Sequence, residues 1–169
     1  MSQSALGAGG DSSTSDLGLR AHQHSDDESA LRIGMREGQG RFIAKDRSNM
    51  RNYEYQGEWT DNKRDGFGRC YFYNGDLYEG DWVRGKRHGK GKAFLQSGER
   101  YVGMWEADRR HGQGTLWRAD GTMYIGSFLH DQKHGQGKLC FPDGSLHIED
   151  WQNGHLKNRQ RIANPNDSD

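Results

Sequence analysis

Along Tyr78-Glu79-Gly80-Asp81-Trp82-Val83 the side chains alternate, so an extended chain sends Tyr78, Gly80 and Trp82 to one face and Glu79, Asp81 and Val83 to the other. The alternation returns every 23 residues, in ungapped units that begin at Tyr55, Tyr78, Tyr101 and Tyr124. Sixteen of the 25 glycines fall in four columns of these units: the third, twelfth, fourteenth and twenty-first. In the second unit a turn is expected over Arg84 to His88. Its eighth column holds Asn62, Gly85, Asp108 and Asp131 across the array, residue types that tolerate positive φ. The return strand opens on Gly-x-Gly, which leaves room for a neighbouring ring to lie against backbone. Asn74-Gly75, Ser97-Gly98, Asp120-Gly121 and Asp143-Gly144 then mark a second hairpin turn. Each unit is thus two short antiparallel strands advancing the sheet by about 10 Å, and five units make a ribbon of about 50 Å. The pattern predicts an all-β fold, an elongated, twisted, single-layer antiparallel sheet of 23-residue hairpin repeats.

Outside the four units the pattern loosens. Residues 1–30 are rich in Ser, Gly and Asp without an apolar period, as in a disordered arm. Residues 34–54 hold Gly38 and Gly40, the second half of a degenerate unit carrying an insertion. The full units are 55–77, 78–100, 101–123 and 124–146. A partial terminal unit follows at 147–156, where Trp151 and Gly154 keep their columns, then a polar tail at 157–169. Because the last unit lacks its Gly-x-Gly, pairing is expected to stop near residue 156.

Composition narrows the function. With 31% hydrophobic and 28% charged residues the chain cannot build a thick core. The 24 basic residues balance the 24 acidic ones, so bulk charge does not favour nucleic acid or a membrane. No apolar run is long enough for a membrane-spanning helix, and two cysteines are too few for a disulfide-stapled scaffold. A cytoplasmic protein is expected.

The units resemble the MORN (membrane occupation and recognition nexus) repeat family. Its Tyr-x-Gly-x-Trp, basic hairpin, Gly-x-Gly and Asp-Gly pattern matches Tyr78, Gly80, Trp82, Lys86, Gly89, Gly91 and Gly98. Departures are Phe128 for Trp, Asp65 for His and Ser97 for Asp. The resemblance implies a non-catalytic scaffold or homodimer serving cytoskeletal, ciliary or cell-cortex assemblies, and a membrane role is also associated with the family.

Enzymatic chemistry finds no foothold. Gly80-x-x-x-x-Gly85-Lys86 imitates a phosphate loop, but Arg87 stands where Ser or Thr is needed and no helix pattern follows. His88, His111 and His134 share a column, yet successive members stand about 10 Å apart, too far for one zinc. Cys70 and Cys140 face opposite ways, roughly 30 Å apart. No cofactor, metal or small-molecule substrate is expected. Two binding surfaces remain. An aromatic face of Tyr55, Trp59, Tyr78, Trp82, Tyr101, Trp105, Tyr124 and Phe128 would support a groove for a partner helix or strand. Alternatively, a basic ladder of Lys63, Arg64, Lys86, Arg87, Arg109, Arg110 and Lys133 would hold anionic lipid headgroups. Open terminal strands favour self-association or a capping partner.

Overall fold

The computed structural model describes residues 35–45 and 52–162. The expected arm at 1–30 lies outside the described residues. Eleven strands follow one another: β1 (Gly38–Lys45), β2 (Asn52–Thr60), β3 (Lys63–Tyr71), β4 (Leu77–Val83), β5 (Lys86–Phe94), β6 (Arg100–Glu106), β7 (Arg109–Trp117), β8 (Met123–Leu129), β9 (Gln132–Cys140), β10 (Leu146–Gln152) and β11 (His155–Ile162). They form one sheet in sequence order, every neighbour antiparallel.

The first turn of each unit is tighter than the sequence suggested, because Lys86 to His88 already belong to β5. Only the seventh and eighth columns bend. Both adopt positive φ, as at Asp61 (48°) and Asn62 (62°) or Ala107 (48°) and Asp108 (72°), the geometry of a two-residue hairpin loop matched to strand twist. The second turn is closed by backbone bonds such as Phe141 N to Ser145 O (3.0 Å), while Asp143 Oδ1 accepts from Ser145 N (2.8 Å).

The paired glycines of the return strand do different jobs. Gly89, in the left-handed region (φ 55°), lies opposite the register shift between Gly80 and Trp82, where β4 and β5 form a bulge. Gly91 faces the Tyr78 ring so closely that an added Cβ would lie 2.5 Å from its Cε2 atom. Glycine therefore clears space for the ring at the fourteenth column and turns the backbone at the twelfth.

Pairing does not stop at residue 156. β11 pairs with β10, through a bulge between Asp150 and Trp151, as far as Ile162, which is paired with Leu146, so 155–162 is a strand rather than the close of a partial unit and a polar tail. The missing Gly-x-Gly is no obstacle. The last unit has His147 where the others have Tyr, so no phenol ring must lie over Gln160 in the fourteenth column. At the other end β1 supplies the return strand of the degenerate unit, and β2 begins at Asn52, ahead of the repeat boundary.

Candidate binding surfaces

The eight aromatic side chains converge on one face, but they are packing rather than open surface. Tyr55 and Tyr78 are fully buried, and even the most exposed of the eight, Trp59, retains only 6% of its surface. Tyr55, Tyr78 and Tyr101 each sit edge-to-face with the Trp or Phe of their own unit and with that of the next, and Tyr124 with Phe128 of its own. Tyr78 meets Trp82 at 5.1 Å and 85° and Trp105 at 5.3 Å and 86°. The pattern continues from Trp59 through Tyr55 to Tyr124 as one zigzag. Three of its four phenol hydroxyls are satisfied within it, whereas the buried Tyr124 hydroxyl has no hydrogen-bond partner among the described residues. Tyr55, Tyr78 and Tyr101 hydroxyls donate to the carbonyls of Glu58, Asp81 and Met104 at 3.0, 2.9 and 3.0 Å. Trp82 Nε1 donates to Gly68 O at 3.1 Å. Burial pushes the Tyr55 and Tyr101 hydroxyls up to about 12, which keeps them protonated as donors.

The expected basic ladder divides in two. Lys63, Lys86 and Arg109 are exposed at hairpin ends. Their neighbours Arg64, Arg87, Arg110 and Lys133 fold back over the rings. Arg64 stacks on Trp82 (4.0 Å), Arg87 on Trp105 (4.3 Å), Arg110 on Phe128 (5.4 Å) and Lys133 on Tyr124 (3.9 Å). Each also binds the next hairpin. Arg64 Nη2 reaches Gly85 O at 2.5 Å, and Arg87 Nη2 reaches Asp108 O at 2.7 Å. Asp108 and Asp131 Oδ1 each accept the backbone N–H of Arg87 and Arg110 at 2.9 Å. These cations staple successive units together. Arg36, absent from the expected ladder, does the same job upstream: it lies over Phe42 (4.1 Å) and its N–H bonds Asn62 Oδ1 (2.8 Å). It precedes Gly38 by two residues, just as Arg64 precedes Gly66. Replacing Arg87 by Ala should therefore cost about 1–2 kcal/mol, whereas Lys86→Ala should cost under about 0.5 kcal/mol. Urea unfolding of the two variants checks this difference.

On the opposite face the twenty-third column of a unit pairs with the seventeenth of the same unit and with the seventeenth of the next. The register runs Tyr71, Leu77, Phe94, Arg100, Trp117, Met123 and continues through Cys140 and Leu146 to Ile162. At the β1 side it ends in Glu54 and Ile43. This row crosses every strand, and Tyr71 (40%) and Phe94 (39%) are exposed within it. Beside it, Phe67, Val102 and Met104 line a shallow hollow with Lys90 and Lys92.

The MORN repeat family matches residues 31–48, 55–77, 78–100, 101–123 and 124–146, together well over half of the chain. This chain belongs to the MORN repeat family. A search of curated proteins finds no match to it. Four of the five matched ranges coincide with the four full hairpin units, and the family is generally non-catalytic. No helix among the described residues is long and apolar enough to cross a membrane.

Proposed function

We propose that this MORN-repeat protein is a non-catalytic scaffold that holds an acidic, amphipathic helix of a partner protein across the strands, on the face opposite the ring ladder. The observation that carries this reading is the row that crosses all eleven strands, apolar on nine of them and charged only at Glu54 and Arg100, with no second layer of described residues over it. One helical turn advances 5.4 Å and strands stand about 4.8 Å apart, so side chains one turn apart meet successive strands of the row. Charge supports an acidic partner. The row and the adjoining one carry Arg41, Arg69, Lys92, Arg100 and Lys138 against Glu54 and Glu79, five cations less two anions, a balance of three positive charges. Such a scaffold suits an assembly at the cytoskeleton, cilium or cell cortex. A membrane role has support only from the exposed Lys63, Lys86 and Arg109.

The test compares two surface variants that spare the ladder. In Tyr71→Asp with Phe94→Asp, a co-purifying partner should be lost while thermal unfolding stays close to wild type. Lys63→Glu with Lys86→Glu and Arg109→Glu should keep the partner. If the charge reversal alone releases it, or abolishes sedimentation with anionic vesicles, the helix-docking reading fails.

A further inference from the structure

At the junction of the third and fourth units, Glu106, His111 and His130 each bring one ligand atom within 4.8 Å of the others. Glu106 closes β6, His111 lies on β7 across the Ala107-Asp108 turn, and His130 opens the turn between β8 and β9. The repeat does not require this combination. In the sixth column the other full units have Thr60, Val83 and Leu129, and in the seventh Asp61, Arg84 and Ala107.

In the eleventh column two members cap the next hairpin's turn: Asp65 Oδ2 accepts the backbone N–H of Arg84 (3.1 Å), and His134 Nδ1 that of Asn153 (3.4 Å). His111 Nδ1 is shut off from solvent yet makes no hydrogen bond among the described residues. It lies instead 3.1 Å from Glu106 Oε2, and its ring centroid is 5.6 Å from that of His130. Ligand atoms 2.0–2.2 Å from zinc stand about 3.3 Å apart in a tetrahedron, close to the His111–Glu106 separation. Glu106 and His130 are exposed, free to close the remaining distance by small rotations. Of the neighbouring cations, Arg110 is engaged by Asp131 (3.2 Å) and Arg109 is exposed.

We propose that Glu106, His111 and His130 form a surface site for a divalent transition-metal ion of the zinc class. Two imidazoles and one carboxylate suit a borderline cation, and three protein ligands leave one tetrahedral position for water or for a ligand from another molecule. The site stands apart from the apolar row and does not depend on the docking reading.

Zinc titrated calorimetrically into the full, untagged chain tests it, with cobalt as a spectroscopic substitute. The wild type should bind one ion at this site, and His111→Ala, His130→Ala and Glu106→Ala should each weaken binding by more than about tenfold. His88→Ala and His134→Ala, in the same column as His111, should bind within about twofold of wild type. His22 and His24 could form a separate site, so the double variant His22→Ala with His24→Ala should retain the ion. Thermal unfolding confirms that each variant is folded, and His130→Ala changes only an exposed turn side chain if His111→Ala proves unstable. Absence of zinc binding, binding indifferent to the three substitutions, or binding abolished by the His22/His24 variant overturns the proposal.

Discussion

Gly91→Ala should destabilise the protein by about 2–4 kcal/mol, an effect out of proportion to one methyl group. An alanine Cβ would sit 2.5 and 2.6 Å from Cε2 and Cζ of Tyr78, a ring with no exposed surface. The ring can yield only by leaving its edge-to-face contacts with Trp82 and Trp105 and the hydrogen bond from its hydroxyl to Asp81 O. Overpacking and the lost polar contact therefore act together. Gly85→Ala is the control: nothing lies within 4 Å of its added Cβ, and only its positive φ (84°) is strained, at about 1 kcal/mol. Urea unfolding should separate the two, and a double-mutant cycle sharpens the comparison. In a Tyr78→Ala background the ring is gone, so adding Gly91→Ala should cost less than about 0.5 kcal/mol. Equal costs in both backgrounds would refute the ring-over-glycine account.

The repeat, the hairpins and the space-clearing glycine of the fourteenth column were legible in the sequence because they depend on local periodicity and turn chemistry. The burial of the ring column was not. Period two places Tyr78 and Trp82 on one face, but it does not say that Tyr78 will also reach Trp105 in the next unit, a contact set by cross-strand register. The division of the basic ladder was available in principle, since adjacent residues such as Lys86 and Arg87 point to opposite faces of a strand. Grouping them as one charged edge overlooked that parity. The apolar row was hidden differently: Tyr71, Phe94, Trp117 and Cys140 share a column without sharing a residue type, so a search for recurring residues passes over them. The Glu106, His111 and His130 cluster was missed because only His111 lies in the histidine column; the other two positions depart from any repeated residue.

The far end of the ribbon carries the other large expected effect, because Glu149 occupies a glycine column. Its side chain is fully buried between β9 and β11, where it accepts from Trp151 Nε1 (2.9 Å), Arg159 Nε (2.9 Å) and Nη2 (2.6 Å), and Lys133 Nζ (3.3 Å). Burial alone would raise its pKa, but the bonds from Trp151 and Arg159 and the charge of Lys133 outweigh it and hold the carboxyl below its ordinary value. A folded-state pKa below the unfolded one contributes stability that is complete above the ordinary carboxylate range and is lost as pH falls through the lower folded value. Glu149→Ala removes the shared acceptor and strands Lys133, whose side chain is only 10% exposed. It should cost about 2–4 kcal/mol, the partly exposed Arg159 keeping the loss below that of a fully buried pair. The damage should be local. β11 has exposed side chains throughout and pairs only with β10, so it should detach while the ring ladder upstream stays folded. The indole N–H resonance of Trp151 reports both effects. In the wild type it should shift only below the ordinary carboxylate range, as Glu149 takes up its proton; in Glu149→Gln that titration should vanish. A wild-type transition at or above the ordinary carboxylate value would show that burial, rather than the three donors, governs this carboxylate.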